Sequence, residues 1–277
     1  MKGRRALLKD VLCDRRLAPD PESALALIDQ GKVLVNRFLS TNPNRQISDT
    51  DSISVVSNTL ASEYVSRGGH KLIGAIEGFG IQVQGKVCID LGCSTGGFSD
   101  CLIQLGASHI YAVDVGYGIF HEKLRELSCV TLLERTNARN LDISQLALGK
   151  IDLVVADLSF ISLEKVAANI CGTLLKPKGE FLLLVKPQFE ASKSESSRTR
   201  GVISDPQIWT NSLVKVANAY LSHRGGIIGI MPSPLKGPKG NCEFFIYGHL
   251  LEDKSVSGNS SLEKLIAAAV EQAQEMN

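Results

Sequence analysis

From Val87 onward, short apolar runs recur at regular intervals, separated by segments of helical periodicity. Strands that alternate with helices bury their apolar faces most readily as a mostly parallel sheet covered on both sides. The pattern therefore predicts an α/β, doubly wound architecture. The predicted strands are Val87–Asp90, Ile110–Asp114, Val130–Glu134, Leu153–Asp157, Phe181–Lys186, Ile227–Met231 and Glu243–Tyr247, a seven-stranded sheet. The clearest helix begins at Asp205-Pro206 and ends near Gly225-Gly226. Ser260-Ser261-Leu262-Glu263 reads as a capping box that opens a closing helix with Leu265, Ile266, Ala269 and Val270 on one face.

Ahead of this core lies a different pattern. Leu7, Leu8, Val11 and Leu12 recur at helical spacing within Ala6–Leu17, and Asp20-Pro21 is an N-cap followed by proline at the first helical position. Lys32–Asn36 alternates as a strand does, and Ile47–Val56 holds a further strand pair. The expected organisation is a small α+β unit over residues 1–58, a linker over 59–66, a core over 67–250 and a C-terminal helix within 251–277. The net charge of +1 names no partner, but residues 1–16 carry six basic side chains against two acidic ones, a local +4. Arg4, Arg5, Arg15 and Arg16 are thus candidates for phosphate contacts, with a solvated basic start as the alternative.

No apolar run approaches the ~20 residues of a membrane span. The first residues mix charges where a secretory signal needs an apolar stretch, so a cytoplasmic protein is expected. The seven cysteines are scattered without a Cys-x-x-Cys pair and read as reduced structural thiols, and no metal constellation is visible.

Val87–Phe98 is a strand ending in an acid, then a glycine-rich turn, then a helix start. Such a turn lets backbone approach a nucleotide-like ligand. The spacing is not Gly-x-Gly-x-x-Gly and no lysine follows, which disfavours a dinucleotide or phosphate loop. An acid at the strand end, Asp90, suits a ligand with cationic amine and sulfonium groups, and Asp114 at the next strand end suits ribose hydroxyls. A tight turn without a ligand stays open as the alternative.

Seven segments in order extend this reading: Tyr64–Leu72, Asp90–Phe98, Asp114–Gly118, Glu134–Arg139, Asp157–Leu163, Lys186–Glu190 and Gly240–Phe244. Together they resemble the TlyA (hemolysin A) ribosomal RNA methyltransferases, whose core is of the FtsJ-like type. The resemblance covers residues 1 to about 250. It implies a Rossmann-like methyltransferase fold, S-adenosylmethionine as donor, and a cytidine 2′-hydroxyl of ribosomal RNA or assembled ribosomal subunits as acceptor. It maps a catalytic Lys-Asp-Lys-Glu pattern onto Lys71, Asp157, Lys186 and Glu243. It assigns cofactor contacts to Asp90, Gly92, Ser94, Gly96, Gly97, Phe98, Asp114 and Asn137.

The N-terminal unit is similar to the RNA-binding domain named after ribosomal protein S-four. It carries Leu7-Leu8-Lys9 and Asp20-Pro21 where that domain has Arg-Leu-Asp and Ser-Arg, and Ser62–Val65 replaces Arg-x-Trp-Val. Three other readings compete: a membrane-active hemolysin, which the family's older name suggests, a non-catalytic RNA-binding protein, and an enzyme of the same fold that methylates a base.

Topology offers an independent check on the four catalytic candidates. Ligands of an open parallel sheet sit at the carboxyl edge of its strands. Asp157 and Lys186 each end a predicted strand, Glu243 begins the last one, and Lys71 opens a helix, so all four can meet at that edge if the last strand is antiparallel. Lys186 is then the expected acceptor of the hydroxyl proton, with Asp157 and Glu243 orienting the lysines and His70 structural. The polar loop Ala191–Gly201 offers Lys193, Arg198 and Arg200 to RNA phosphates.

Overall fold

The structure is a computed structural model. It describes residues 5–276 apart from 30–31, 37, 41, 56–63, 193–194, 196–201, 238 and 253–258. Arg4, Lys193, Arg198 and Arg200, and most of the expected linker, lie outside the described residues.

The N-terminal unit holds β1 (Ala6–Leu7), α1 (Leu8–Asp14), α2 (Pro21–Asp29), β2 (Val33–Val35), β3 (Phe38–Leu39), β4 (Gln46–Ile47) and β5 (Ile53–Val55). It has an apolar core of its own, built on Leu8, Leu12, Ala24, Ile28, Val33, Val35 and Ile47. Two expectations change here. Ala6 and Leu7 form a strand that pairs with β4, so the first helix begins at Leu8. The strands within Ile47–Val56 do not pair with each other, because β4 joins β1 while β5 joins β2. Strands this short carry too few alternating positions to show which partner they take.

The main body contains α3 (Arg67–Phe79), β6 (Val87–Leu91), α4 (Gly97–Gln104), β7 (His109–Val113), α5 (Glu122–Arg125), β8 (Val130–Leu133), β9 (Ile151–Ala156), α6 (Glu164–Asn169), β10 (Leu175–Val185) and α7 (Pro187–Glu190). The helix Pro206–Ser222, β11 (Gly225–Pro232), β12 (Phe244–Leu250) and the helix Asn259–Glu275 follow. The last helix starts at Asn259, one residue ahead of the expected capping serine. The seven strands line up as β11-β12-β10-β9-β6-β7-β8. Strands β6 to β10 are mutually parallel, and β12 runs antiparallel to β10 and β11.

The period-two alternation of strands sorts the core into two layers. Ile89, Val154, Leu183 and Ile246 face the helices Pro206–Ser222 and Asn259–Glu275. Cys88, Val155, Leu182 and Phe245 face the other side, with Leu72 and Ile76 of α3 and Leu102 of α4. Burial on both faces is why these strands read as nearly continuous apolar runs. The chain leaves β6 toward β7 and β8, then returns to β6's other side with β9. The topological switch point therefore lies between β6 and β9, the place where open parallel sheets bind their ligands. Among the described residues no helix is long and apolar enough to cross a membrane.

Candidate active site

The switch point carries the glycine turn. Asp90, the fourth residue of β6, turns toward α4 and is fully buried, with Ser99 Oγ donating to its Oδ2 at 2.7 Å. Its Oδ1 has no hydrogen-bond partner among the described residues. Burial with no opposing charge, aided by the nearby Asp157 and Asp114 carboxylates, pushes Asp90 up to about 7. An acid in this state fits a ligand that brings positive charge.

Asp114 closes the turn from the next strand. Its Oδ2 accepts from Ser94 N–H at 2.9 Å and its Oδ1 from Gly116 N–H at 2.7 Å. Ser94 holds a left-handed φ of 48°, which the first of these bonds helps to maintain. Lone pairs remain on both carboxylate oxygens, so hydroxyl donors are chemically compatible.

The glycines have a reason the sequence did not reveal. A Cβ on Gly92 would come within 2.7 Å of the Asp157 carbonyl oxygen, and one on Gly97 within 2.1 Å of Ser66 Oγ. Gly92 thus lets β6 run against β9, and Gly97 lets α4 start against the start of α3. Phe98 is a core residue, 3% exposed and stacked on Phe245. Asn137 is exposed and accepts from Arg139 N–H at 3.0 Å, capping its own turn.

The four catalytic candidates form two ion pairs. Lys71 Nζ lies 2.6 Å from Glu243 Oε2, both side chains being under 10% exposed. Lys186 Nζ lies 2.6 Å from Asp157 Oδ1, and it also donates to Ser159 Oγ at 2.9 Å. Strand register brings the pairs to one edge. Val185 opposes Phe244, so the residues just beyond them, Lys186 and Glu243, flank the same end of the β10–β12 ladder. Asp157 follows β9, its N–H donating to the Leu91 carbonyl at 3.0 Å.

Lys71 does not open its helix. Ser66 caps α3, accepting from Gly68 N–H at 3.3 Å, and Lys71 sits a turn further in, beside Leu72. It reaches Glu243 because the loop before β12 folds onto α3: a Cβ on Gly74 would meet Pro234 at 2.8 Å, and one on Gly237 would meet Glu243 Oε1 at 2.4 Å. His70 packs edge-on against Tyr64, ring centroids 5.0 Å apart.

Sequence reasoning missed Ser99, Ser159 and Glu190. Ser159 stood two residues after Asp157, and a hydroxyl so near a strand-end acid is the signal that pointed to it. Glu190 is buried, with Ser162 Oγ–H donating to it at 2.5 Å and Leu163 N–H at 2.8 Å. The cysteines are unpaired, and five are buried. Burial pushes Cys88, Cys171 and Cys242 up to about 12 and Cys93 and Cys101 higher still, which leaves them unreactive.

The arginines of the N-terminal unit differ in state. Arg15 donates to the Asp51 carbonyl at 2.6 Å and the Ser48 carbonyl at 3.3 Å, clamping a loop of its own unit. Arg5 and Arg16 are exposed.

Comparison with known proteins follows the same lines. Residues 64–250 match the FtsJ-like methyltransferase family. The 16S/23S rRNA (cytidine-2′-O)-methyltransferase TlyA of Mycobacterium tuberculosis is 40% identical over 97% of this chain and 98% of its own length. Hemolysin A of Brachyspira hyodysenteriae is 38% identical over 80% of this chain and 90% of its own. A solved structure named as a hemolysin, from Streptococcus thermophilus, covers 98% of both chains at 28% identity with a TM-score of 0.71.

Proposed function

The chain belongs to the FtsJ-like methyltransferases, in their TlyA branch, and from that premise we propose that it methylates a cytidine 2′-hydroxyl of ribosomal RNA, using S-adenosylmethionine. The observation that carries the reading is the pairing of Lys186 with Asp157 and of Lys71 with Glu243 at the sheet edge that also bears the glycine turn. When bound, S-adenosylmethionine supplies an electrophilic methyl group on a positively charged sulfur.

The chain's own residues do the rest. Asp90 and Asp114 hold negative charge at the turn toward a cationic, hydroxyl-bearing ligand. In its neutral, amine form Lys186 Nζ takes the proton of the ribose hydroxyl, and Asp157 Oδ1, 2.6 Å away, holds the ammonium that results. Ser159 Oγ fixes the same nitrogen from a second direction. A positioned base of this kind contributes typically 10²–10⁴-fold. The Lys71–Glu243 pair braces α3 against the start of β12.

Arg5 and Arg16, with Arg4, are the proposed phosphate contacts of the N-terminal unit. The proposed working location is the cytoplasm, where ribosomal RNA is met. Mass mapping of ribosomal RNA from cells with and without the gene tests the reading. Loss of 2′-O-methyl marks at cytidine is expected, and an unchanged map would refute it.

A further inference from the structure

Two segments must be held at a fixed separation for the proton acceptor to work. One is the turn after β9, which carries Asp157 and Ser159. The other is the turn after β10, which carries Lys186. The strands deliver both to the same edge, but strand pairing ends at Ala156–Leu183, before either reactive side chain is reached. Beyond that point something else must set the geometry.

We propose that Glu190 is a positioning residue for the Lys186–Asp157 pair, because its buried carboxylate bolts the segment after Asp157 to the short helix that begins right after Lys186. Both carboxylate oxygens are used. Ser162 Oγ–H donates to Oε2 at 2.5 Å and Leu163 N–H donates to Oε1 at 2.8 Å. The Glu190 side chain is 1% exposed, and Lys215 Nζ, from the helix Pro206–Ser222, stands 3.6 Å from Oε2 while donating to the Glu190 carbonyl at 3.2 Å. The charge is therefore compensated on one side and spent as two hydrogen bonds on the other, the condition under which a buried carboxylate is retained.

The contacts close a ring. From Lys186 the chain runs four residues through α7 to Glu190, crosses to Ser162 and Leu163, returns along the chain to Ser159 and Asp157, and closes on Lys186 Nζ at 2.9 and 2.6 Å. A ring of this kind leaves few ways for Lys186 to move relative to Asp157 without breaking a buried, charge-assisted bond. Removing Glu190 opens the ring at a point that touches neither donor nor acceptor. The effect should therefore fall on the rate of transfer rather than on binding.

The inference rests on Lys186 as proton acceptor, and its test separates the two. Single-turnover methyl transfer is measured for the full chain with S-adenosylmethionine and ribosomal subunits, alongside calorimetric affinity for S-adenosylmethionine and RNA affinity. Glu190→Ala should lose about 10²-fold in rate, the size expected for misplacement of a reacting group by about 1 Å, with both affinities within about twofold of wild type. Glu190→Gln should restore most of the rate, since its carbonyl still accepts from Leu163 N–H and its amide can donate to Ser162 Oγ. In a Lys186→Ala background, Glu190→Ala should cost nothing further.

A wild-type rate for Glu190→Ala beside a crippled Lys186→Ala overturns the positioning role alone. Losses that multiply in the double variant, or that fall equally on rate and both affinities, also overturn it. A wild-type rate for Lys186→Ala instead removes the acceptor reading itself. Should Glu190→Ala fail to fold, Ser162→Ala opens the same ring by one bond, and a full rate in that variant overturns the proposal.

Discussion

A carboxylate with no exposure and one unpartnered oxygen, as Asp90 has, makes stability depend on pH in a calculable direction. Burial raises it from 3.8 to about 7, so the folded state binds a proton that the unfolded state releases in that interval. The stabilising contribution is complete below pH 4 and is lost as pH rises through 7, on the order of 4 kcal/mol in all. Urea midpoints of the ligand-free protein should therefore fall between pH 5 and pH 8, and Asp90→Asn should flatten that slope. A cationic ligand favours the carboxylate, so affinity for S-adenosylmethionine should rise over the same interval in wild type and not in Asp90→Asn, as calorimetry at several pH values would show. Lys186 belongs to the same scale. Its replacement by Ala should slow transfer by about 10²-fold or more with RNA affinity little changed, and a near-normal rate would leave Asp157 without a partner to orient.

At the scale of elements, the close approach of α3 and α4 is the contact most exposed to a small substitution. Gly97→Ala puts a methyl group where Ser66 Oγ already lies, and the helices must part. Overpacking of this kind costs typically about 1–3 kcal/mol, so thermal denaturation should show a drop of several degrees. Glu243→Ala tests the neighbouring brace: it strands the buried Lys71 ammonium and should cost about 3–5 kcal/mol, read by denaturant unfolding. The seven strands of the main sheet were legible because double burial writes long apolar runs, and Asp90, Asp157 and Lys186 fell within one residue of their carboxyl ends. The packing duties of Gly92, Gly97 and Phe98 were not legible, because a glycine that admits a ligand and one that admits a neighbouring helix look alike in a sequence. Lys71 is expected to open a helix, yet Ser66 caps that helix five residues ahead of it. Glu190 was quoted within a motif without a role, since its partners Ser162 and Leu163 lie on a different strand-end turn.

Across the whole molecule, the N-terminal unit and the main body keep separate apolar cores. Deleting residues 1–60 should therefore leave affinity for S-adenosylmethionine largely intact while weakening RNA binding and turnover. RNA affinity against salt for the full chain, the truncation and an Arg5/Arg16 double substitution is the measurement. Each lost phosphate contact should lower the salt slope by about 0.7–0.9, and equal slopes in all three would assign RNA recognition to the main body alone.

Strand β12 lies between β10 and β11, both of which precede it in the chain, and Glu243 stands at its start. During synthesis the chain emerges from its first residue onward, so β6 to β10 can assemble a sheet and present the glycine turn, Asp157 and Lys186 while the slot beside β10 is still vacant. Until β12 enters that slot, Lys71 has no counter-charge and the edges of β10 and β11 are open. A half-made chain can thus offer most of a cofactor site without a finished reaction centre, and the last strand to arrive in the sheet is the one that arms it.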